Sequence, residues 1–310
     1  MTTANKEFQI LLSTYNGERY LREQLDSFTR LSNFDAVKVL IRDDGSTDST
    51  PEILREYAEK FGFEIHYGEN VGLNASLHTL LGLRDRECKY FAFSDQDDVW
   101  LEDKLTRAKE ALSAVCQSIP YLYSATSHLT DEKLNIKGTT FIPKRKLSFY
   151  NAMVQNVCIG HTEVMNATLA ALLEREYSDD IMVTDYWTYL LASATGEIIY
   201  DKTPTTLYRQ HGRNVIGYES SRIRALKVRV NRVKTKISVK NARQLRAFIT
   251  LYKDVIPKDY VVEAERFFNC QRSFFSRLSY VFKSKAYRQT KIETLIFRLM
   301  YLFGRYNVAN

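Results

Sequence analysis

The sequence has few of the features that mark a secreted, thiolate-metal or membrane-spanning protein. Its four cysteines are scattered, without a CxxC or other paired spacing. This argues against a disulfide framework and a thiolate zinc site and indicates a reducing compartment. No run approaches the roughly 20 apolar residues of a membrane span, and the best candidate, 295–303, is interrupted by Arg298. Because the first eight residues also lack an apolar signal-peptide core, we expect a cytoplasmic protein.

Two common phosphate-binding motifs are absent as well. No GxGxxG follows the first predicted strand, and no GxxxxGK[ST] occurs in the chain. Since these motifs let backbone N–H groups cradle phosphates, a Rossmann dehydrogenase and a P-loop NTPase are disfavoured. A sugar nucleotidyltransferase is an alternative, but residues 13–17 lack the Gly-rich, Lys- or Arg-bearing loop that would hold a triphosphate.

Charge is divided unevenly along the 310 residues. From residue 221 onward there are 21 Lys and Arg against 5 Asp and Glu, a net of +16, whereas the preceding residues carry a net of −9. An acidic body with a basic end suggests two functional parts. The basic part favours an anionic surface such as phospholipid headgroups. We expect no nucleic-acid partner, because no zinc spacing or RNP motif is present.

Strands and helices alternate four times within the first hundred residues. Short apolar runs predict strands at 8–13, 37–41, 63–67 and 90–94. Helical spacing predicts helices at 20–31, from 50 onward, at 73–83 and at 101–115. Pro51 just after Ser49 and Thr50 is typical of a helix start. The alternation predicts an α/β fold with a parallel, doubly wound sheet.

The pattern changes to helices after about residue 218. Apolar residues recur at three- and four-residue spacing from Ile223 to Ile237, with Arg and Lys between them. Residues 267–306 add many aromatic side chains on a basic background. We therefore expect an α/β domain over 1–218 and a basic, aromatic-rich helical region over 219–310. That region would associate with a membrane surface, form a homodimer through its helices, or do both.

Carboxylates cluster where the second and fourth predicted strands end. Asp43 and Asp44 follow the second strand, and the sequence DQDD at 95–98 follows the fourth. Because the carboxyl ends of parallel strands meet at one edge of a sheet, these side chains should line one crevice. Crowded carboxylates repel one another unless a cation or a proton relieves them. Residues 95–98 are therefore a candidate site for a divalent metal and a phosphate, the alternative being a turn with solvated acids.

An ordered set of short motifs resembles the family 2 glycosyltransferases of the GT-A fold. The motifs are LSTYN at 12–16, DDGSTD at 43–48, NVGLN at 70–74, SDQDDVW at 94–100, NVCIG at 156–160, TDYW at 184–187 and YRQHGRN at 208–214. The DQDDVW and YRQHxxN forms look most like bacterial rhamnosyltransferases, which use dTDP-L-rhamnose to build cell-surface polysaccharide. The resemblance implies a Rossmann-like, mixed but mainly parallel sheet forming a nucleotide-diphospho-sugar transferase domain over 1–218, with a basic helical C-terminal extension.

The resemblance also assigns contacts to the nucleotide-sugar donor. Ser13 and Tyr15 would line the base, and Asp44 would accept a hydrogen bond from a pyrimidine N3–H, with Asp43 as the alternative partner. Gly72 would let the backbone approach the ribose, unless it serves only an ordinary tight turn. These residues stand at the ends of predicted strands or in the turn before a predicted helix.

Four further residues match the family's metal and diphosphate positions. Asp95 and Asp97 match the acidic positions of the DxD pattern, one directed at the ribose and one at Mn2+ or Mg2+. Asp98 shifts the frame by one residue and could take over either role. His211 matches a further metal or diphosphate contact, with a structural histidine as the alternative. A bound cation would neutralise the leaving diphosphate without proton transfer.

The remaining assignments concern the base, the phosphates and the sugars. Asp185 matches the family's catalytic base, which takes the proton of the acceptor hydroxyl. Arg209 or Arg213 would assist on the phosphates. Trp100 and Trp187 would stack on sugars, although burial is the usual fate of tryptophan.

The sequence thus predicts a metal-dependent inverting glycosyltransferase. It would transfer L-rhamnose from dTDP-L-rhamnose to a lipid-linked or growing cell-surface polysaccharide at the inner face of the cell membrane. A family member that uses another nucleotide sugar, such as a UDP-sugar, is the alternative.

Overall fold

The computed structural model describes residues 6–212 and 237–308. These residues fall into two units, the first comprising 6–142, 158–177 and 197–212 and the second comprising 143–157, 178–196 and 237–308. The expected boundary at 218/219, Arg213 and nearly all of the apolar repeat that begins at Ile223 lie outside the described residues.

All strands of the described residues belong to the first unit and join in one mixed sheet. They are β1 (Phe8–Thr14), β2 (Val37–Asp43), β3 (Glu64–Tyr67), β4 (Tyr90–Ser94), β5 (Val99–Trp100), β6 (Tyr121–Thr130), β7 (Ile136–Thr139), β8 (Val164–Asn166) and β9 (Glu197–Arg209). Their order is β3-β2-β1-β4-β8-β6-β9-β5, with β7 paired to β6. The first four are parallel, whereas β8 runs antiparallel to both β4 and β6. The predicted α/β fold is confirmed.

The α-helices of the described residues follow the predicted positions in the first half of the chain. They are α1 (Leu21–Thr29), α2 (Thr50–Phe61), α3 (Leu73–Leu83), α4 (Lys104–Ser113), α5 (Phe149–Ala152), α6 (Ala167–Glu174), α7 (Thr184–Thr195), α8 (Ile237–Tyr252), α9 (Lys258–Asn269), α10 (Phe274–Lys283) and α11 (Lys291–Leu302). As expected, Pro51 stands in the first turn of α2. Within the described ranges, no helix has both the length and the apolarity needed to cross a membrane.

Each unit has its own hydrophobic core. In the first, apolar residues of β1, β2 and β4 pack with those of α1, α2 and α4, and Phe8, Leu25, Ile41 and Leu105 are at most 1% exposed. Their consecutive apolar runs reflect central parallel strands that are covered on both faces. In the second unit, aromatic rings of α7 pack against those of α8. Trp187 lies edge-on to Phe248, with 5.5 Å between the ring centroids.

The turn after β2 is the place where the fold needs a glycine. Gly45 has φ +79°, and a Cβ there would lie 3.1 Å from the backbone N of Asn70 and 3.2 Å from the carbonyl oxygen of Gly68. Both neighbours are backbone atoms, so they cannot give way as a flexible side chain would. The DDGS turn and the segment that precedes α3 are therefore packed backbone to backbone.

Replacing Gly45 should destabilise the first unit through both strain and overlap. We expect Gly45→Ala to lower the free energy of unfolding by about 2–4 kcal/mol, the sum of left-handed strain and close contact. Gly62→Ala should cost only about 1–2 kcal/mol, because Gly62 has φ +70° but nothing within 4 Å of an added Cβ. Urea unfolding of both variants, with Gly138→Ala as the unstrained control, tests this order; equal losses for Gly45 and Gly62 would contradict it.

Candidate active site

The carboxyl ends of β1, β2 and β4 lie side by side, as the sequence predicts. Thr14 pairs with Asp43 across the β1–β2 register, and Leu12 pairs with Ser94 across β1–β4. Gln96 then bridges the loops: its Oε1 accepts from the Tyr15 backbone N–H at 2.9 Å, and its Nε2 donates to the Tyr15 carbonyl at 3.2 Å. The three motifs at 12–16, 43–48 and 94–100 thus share one edge of the sheet.

The expected base contact Asp44 organises the segment that carries the expected ribose contact. Its Oδ1 accepts from the backbone N–H of Val71 and its Oδ2 from that of Gly72, both at 2.9 Å. The Arg42 guanidinium completes a buried ion pair with Asp44. Gly72 has φ +84° and open space where a Cβ would be, so a ligand can approach its backbone.

The other expected donor contacts differ in accessibility. Ser13 is buried, and its hydroxyl donates to the Ser76 hydroxyl at 2.7 Å. Asp43 is buried and accepts from the backbone N–H of Ser46, and burial raises the pKa of the Asp43 carboxyl. The Tyr15 side chain, by contrast, is 46% exposed and can present its ring to a base.

The DQDD turn contributes two carboxylates to a group with the geometry of a metal site. Asp95, Asp98 and His161 each offer a ligand atom, and these atoms lie within 4.8 Å of one another. Asp98 and His161 are buried, whereas Asp95 is partly exposed. The Asp98 Oδ2 and His161 Nδ1 atoms lie 3.3 Å apart. Neither has a hydrogen-bond partner among the described residues.

These residues fit a divalent cation. Two orphaned, buried ligand atoms that face each other are costly unless a third partner satisfies both. The other ring nitrogen of His161, Nε2, lies 2.8 Å from the Ser127 hydroxyl. A hydrogen bond at the nitrogen that does not bind the metal orients the imidazole ring of a metal ligand. A set that mixes carboxylate oxygens with an imidazole suits Mn2+ better than Mg2+, which prefers oxygen alone.

Charge crowding sets the protonation of this group. Burial and the charges of Asp97 and Asp95 raise the pKa of Asp98 well above its ordinary value. Burial lowers the pKa of His161, so its imidazole is neutral at pH 7 and able to bind a metal. Because protons compete with a cation for carboxylates whose pKa is raised, the affinity for the cation should rise with pH.

The metal ligands expected from the resemblance are Asp95, Asp97 and His211, and the last two are in direct contact. His211 Nε2 lies 2.8 Å from Asp97 Oδ2, and its ring stacks on that of Tyr20 with centroids 5.0 Å apart. Burial and the nearby Asp95 raise the pKa of Asp97. Two sets of side chains at this turn could therefore bind a cation: Asp95, Asp98 and His161, or the pair Asp97 and His211. The metal-binding roles of Asp97 and His211 stay predictions.

Arg209 is placed differently from its expected role on the phosphates. Its side chain is buried and donates to the Asp97 carbonyl at 2.9 Å, the Glu132 carbonyl at 2.5 Å and the Glu23 carboxylate at 3.0 Å. Its backbone N–H donates to Asp98 Oδ1 at 3.0 Å. The guanidinium thus stabilises the conformation of the acidic turn. Its N–H groups donate to protein oxygens, whereas binding a diphosphate would require them to donate to phosphate oxygens.

The stacking role expected for the two tryptophans conflicts with their burial. Trp100 and Trp187 are each 2% exposed. Trp100 packs edge-on against Phe28, and Trp187 packs edge-on against Phe248 and Tyr252. Both rings are enclosed by aromatic neighbours, which favours the core role that was the alternative for these tryptophans; the stacking role stays a prediction.

Two residues of the site were not predicted from the sequence. His161 lies in the 3-10 turn Gly160–Thr162, and its only signal was its position directly after the NVCIG motif. Lys104 is fully buried in α4, and its ammonium donates to the His161 carbonyl at 2.9 Å. Burial lowers the pKa of Lys104 to about 7. This lysine ties the helix after the DQDD motif to the turn that carries His161.

The expected base, Asp185, belongs to the second unit. It lies in the first turn of α7, and its Oδ1 accepts from the Asn156 side-chain amide at 3.0 Å. The helix N-terminus and the amide both favour the charged carboxylate. This is the form that a general base must have before it takes a proton.

The chain matches known proteins over most of its length. The family described as Glycosyl transferase family 2 matches residues 9–181. The dTDP-rhamnosyl transferase RfbG of Shigella flexneri is 29% identical over 231 residues, which are 66% of this chain and 73% of RfbG. An uncharacterized protein of Mycobacterium tuberculosis is 25% identical over 213 residues, and the chain spans 59% of its length.

Solved structures share the fold at low identity. Staphylococcus aureus TarS, crystallised with UDP-GlcNAc, has a TM-score of 0.60 and 15% identity, with 97% of this chain and 82% of that chain covered. The mannosyltransferase PcManGT from Pyrobaculum calidifontis, in complex with GDP-Man and Mn2+, has a TM-score of 0.50 and 14% identity. Its alignment covers 97% of this chain and 86% of that chain. These likenesses establish the GT-A-like fold.

Removing the imidazole should weaken metal binding. We expect His161→Ala to lower the affinity for Mn2+, measured by electron paramagnetic resonance, at least about tenfold. The matched control is His66→Ala, because the partly exposed His66 contacts Glu64 at 2.9 Å, away from the DQDD turn. Unchanged affinity in His161→Ala combined with a loss in His211→Ala would assign the metal to the Asp97–His211 pair instead.

Proposed function

The chain belongs to glycosyl transferase family 2, and we propose that it is a metal-dependent inverting rhamnosyltransferase. Its donor is dTDP-L-rhamnose, and its acceptor is a lipid-linked or growing cell-surface glycan at the inner face of the cell membrane. The observation that carries the proposal is the carboxylate and imidazole group at the end of β4, on the edge shared with the DDGS turn. The likeness to RfbG supports rhamnose as the sugar.

The donor is held through its nucleotide by residues of the first unit. The exposed Tyr15 ring contacts the base, and the base N3–H donates to a carboxylate of the DDGS turn. Asp44 already accepts from Val71, Gly72 and Arg42, whereas Asp43 is engaged by Ser46. The open space at Gly72 leaves room for the ribose.

The diphosphate lies at the DQDD turn. A divalent cation, when bound, neutralises the negative charge that develops on the leaving diphosphate. Asp95, Asp98 and His161 would hold this cation, with Asp97 and His211 as the neighbouring donor pair. Arg209 and Lys104 fix the backbone around these ligands.

Transfer is a single displacement at the anomeric carbon. The acceptor hydroxyl oxygen forms the new bond to that carbon as the bond to the phosphate oxygen breaks, and dTDP leaves with the electron pair. The hydroxyl proton passes to the Asp185 carboxylate, which the Asn156 amide holds in its charged form. Attack opposite the leaving group inverts the configuration.

A panel of nucleotide sugars tests the donor and the metal dependence together. With Mn2+ and a lipid-linked acceptor, we expect nucleotide release to be fastest from dTDP-L-rhamnose, compared with UDP-GlcNAc and GDP-mannose. EDTA should abolish release and added Mn2+ should restore it. Faster release from a UDP-sugar would favour the alternative donor, and release from none of them would contradict a glycosyltransferase.

Asp185→Asn tests the base separately from the donor site. We expect turnover to fall by about 10²–10⁴-fold because the amide cannot take the proton, while the affinity for dTDP-L-rhamnose stays unchanged. The control Asp179→Asn replaces an exposed carboxylate in the preceding loop and should leave turnover intact. Comparable turnover in the Asp185 and Asp179 variants would reduce Asp185 to a helix-terminal acid.

The Asn156→Ala variant gives a second readout of the same role. Losing a donor that favours the charged carboxylate should move the acidic limb of the pH–rate profile to higher pH. A merely structural asparagine would lower activity without moving this limb.

A further inference from the structure

The helix α11 exposes an apolar stripe on one face. Ile292, Leu295, Leu299 and Phe303 follow at spacings of three and four residues, and each is between 46% and 68% exposed. The opposite face carries the buried Phe297 and Tyr301. A helix that is apolar on both faces normally lies within a core. Within 6–212 and 237–308, no residues cover the outer stripe of α11, which stays between 46% and 68% exposed.

The preceding helix α10 repeats this arrangement. Phe275 and Phe282, seven residues apart and so on one face, are 80% and 78% exposed, while Tyr280 on the other face is buried. Fully exposed phenylalanines are unusual in a folded unit, where each would bury 150–250 Å2. We refer to the exposed side chains of the two stripes as the outer apolar surface; they are Phe275, Phe282, Ile292, Leu295, Leu299 and Phe303.

The inner faces of both helices are already satisfied without the outer apolar surface. The rings of Tyr280 and Tyr301 lie 4.4 Å apart, and the Tyr301 hydroxyl donates to the Phe267 carbonyl of α9 at 2.6 Å. Arg277 further joins α10 to α11 through the Leu302 carbonyl at 2.8 Å. The helices are therefore held in place by their own core, and the exposed side chains are available to something else.

The segment that carries the outer apolar surface is strongly basic. Residues 270–308 contain eight Lys and Arg and a single acid, Glu293. Lys283 ends α10, Lys285 follows it, and Lys291 begins α11, all three with exposed side chains. Glu293 is engaged at the start of α11, where Thr290 caps the helix. Long basic side chains thus flank apolar side chains, which is the composition of an interfacial helix.

We propose that the outer apolar surface docks on a lipid bilayer that carries anionic headgroups. The Phe, Leu and Ile side chains enter the boundary between headgroups and acyl chains, and the flanking lysines bind the phosphates. A second copy of this chain is a poorer occupant, because a two-fold interface would place one basic surface against an identical one. This inference rests on the membrane location given in the proposed function. Its test is independent of the proposed sugar transfer, because vesicle binding needs no nucleotide sugar.

Sedimentation of the full chain with vesicles tests the surface. We expect binding to vesicles of phosphatidylglycerol and phosphatidylcholine, and much weaker binding to phosphatidylcholine alone. Phe275→Ser and Phe282→Ser should each lower the affinity about tenfold, and Lys283→Glu should lower it about tenfold as well. The matched controls are Ile136→Ser and Lys133→Glu, exposed residues of the first unit whose replacement should change nothing.

Two further measurements separate docking from its alternatives. Each variant should unfold at the temperature of the unmodified chain, because the replaced side chains are exposed; weakened binding without a change in unfolding temperature then reports the surface itself. Light scattering gives the oligomeric state. Failure of the unmodified chain to bind anionic vesicles, equal binding by all variants, or a dimer that Phe275→Ser dissociates would each overturn the proposal.

Discussion

Crowding of negative charge in the DQDD turn is the constraint to which the residues around it respond. The Asp98 carboxylate is buried and that of Asp97 is 19% exposed, and burial raises the pKa of both groups. The positively charged Arg209 side chain donates to the Asp97 carbonyl of the turn. His161 contacts the Asp98 carboxylate, and His211 contacts the Asp97 carboxylate. Repulsion between these carboxylates is unfavourable, and a bound cation would relieve it. Such crowding of like charges is typical of a site that binds a charged ligand.

The sequence predicts the parts of this site that depend on local pattern. The strands β1, β2 and β4 are buried on both faces and so appear as continuous apolar runs, and the acids that follow them must share an edge once the strands are parallel. The second half of the sheet is less regular: β5 has two residues and β8 three, too few for a periodic pattern to show. Their positions are set by tertiary pairing.

The side chains whose contacts differ from the expected roles share one feature, which is that tertiary packing engages them. Arg209 looks like a phosphate ligand in sequence because arginine usually is one, but the fold uses its guanidinium to hold three protein acceptors. The aromatic residues next to catalytic motifs look like sugar platforms, yet Trp100 is needed to close the core against Phe28. His161 could not be found from spacing, because it follows Asp98 by 63 positions in the sequence. The β6–β8–β4 pairing and Lys104 bring its turn to the acidic residues.

For the helices α10 and α11, the types of side chain on the exposed face indicate a function that no sequence motif marks. Folding buries the inner rings of Tyr280 and Tyr301, and this packing helps to hold the two helices together. Selection for stability would then favour polar residues on the outside, where a serine costs nothing. The chain instead places phenylalanine, leucine and isoleucine there, with lysine at the helix ends. Exposed apolar side chains of this size are favourable when another apolar environment covers them. The neighbouring positive charges favour an environment with an anionic surface, as a lipid bilayer has.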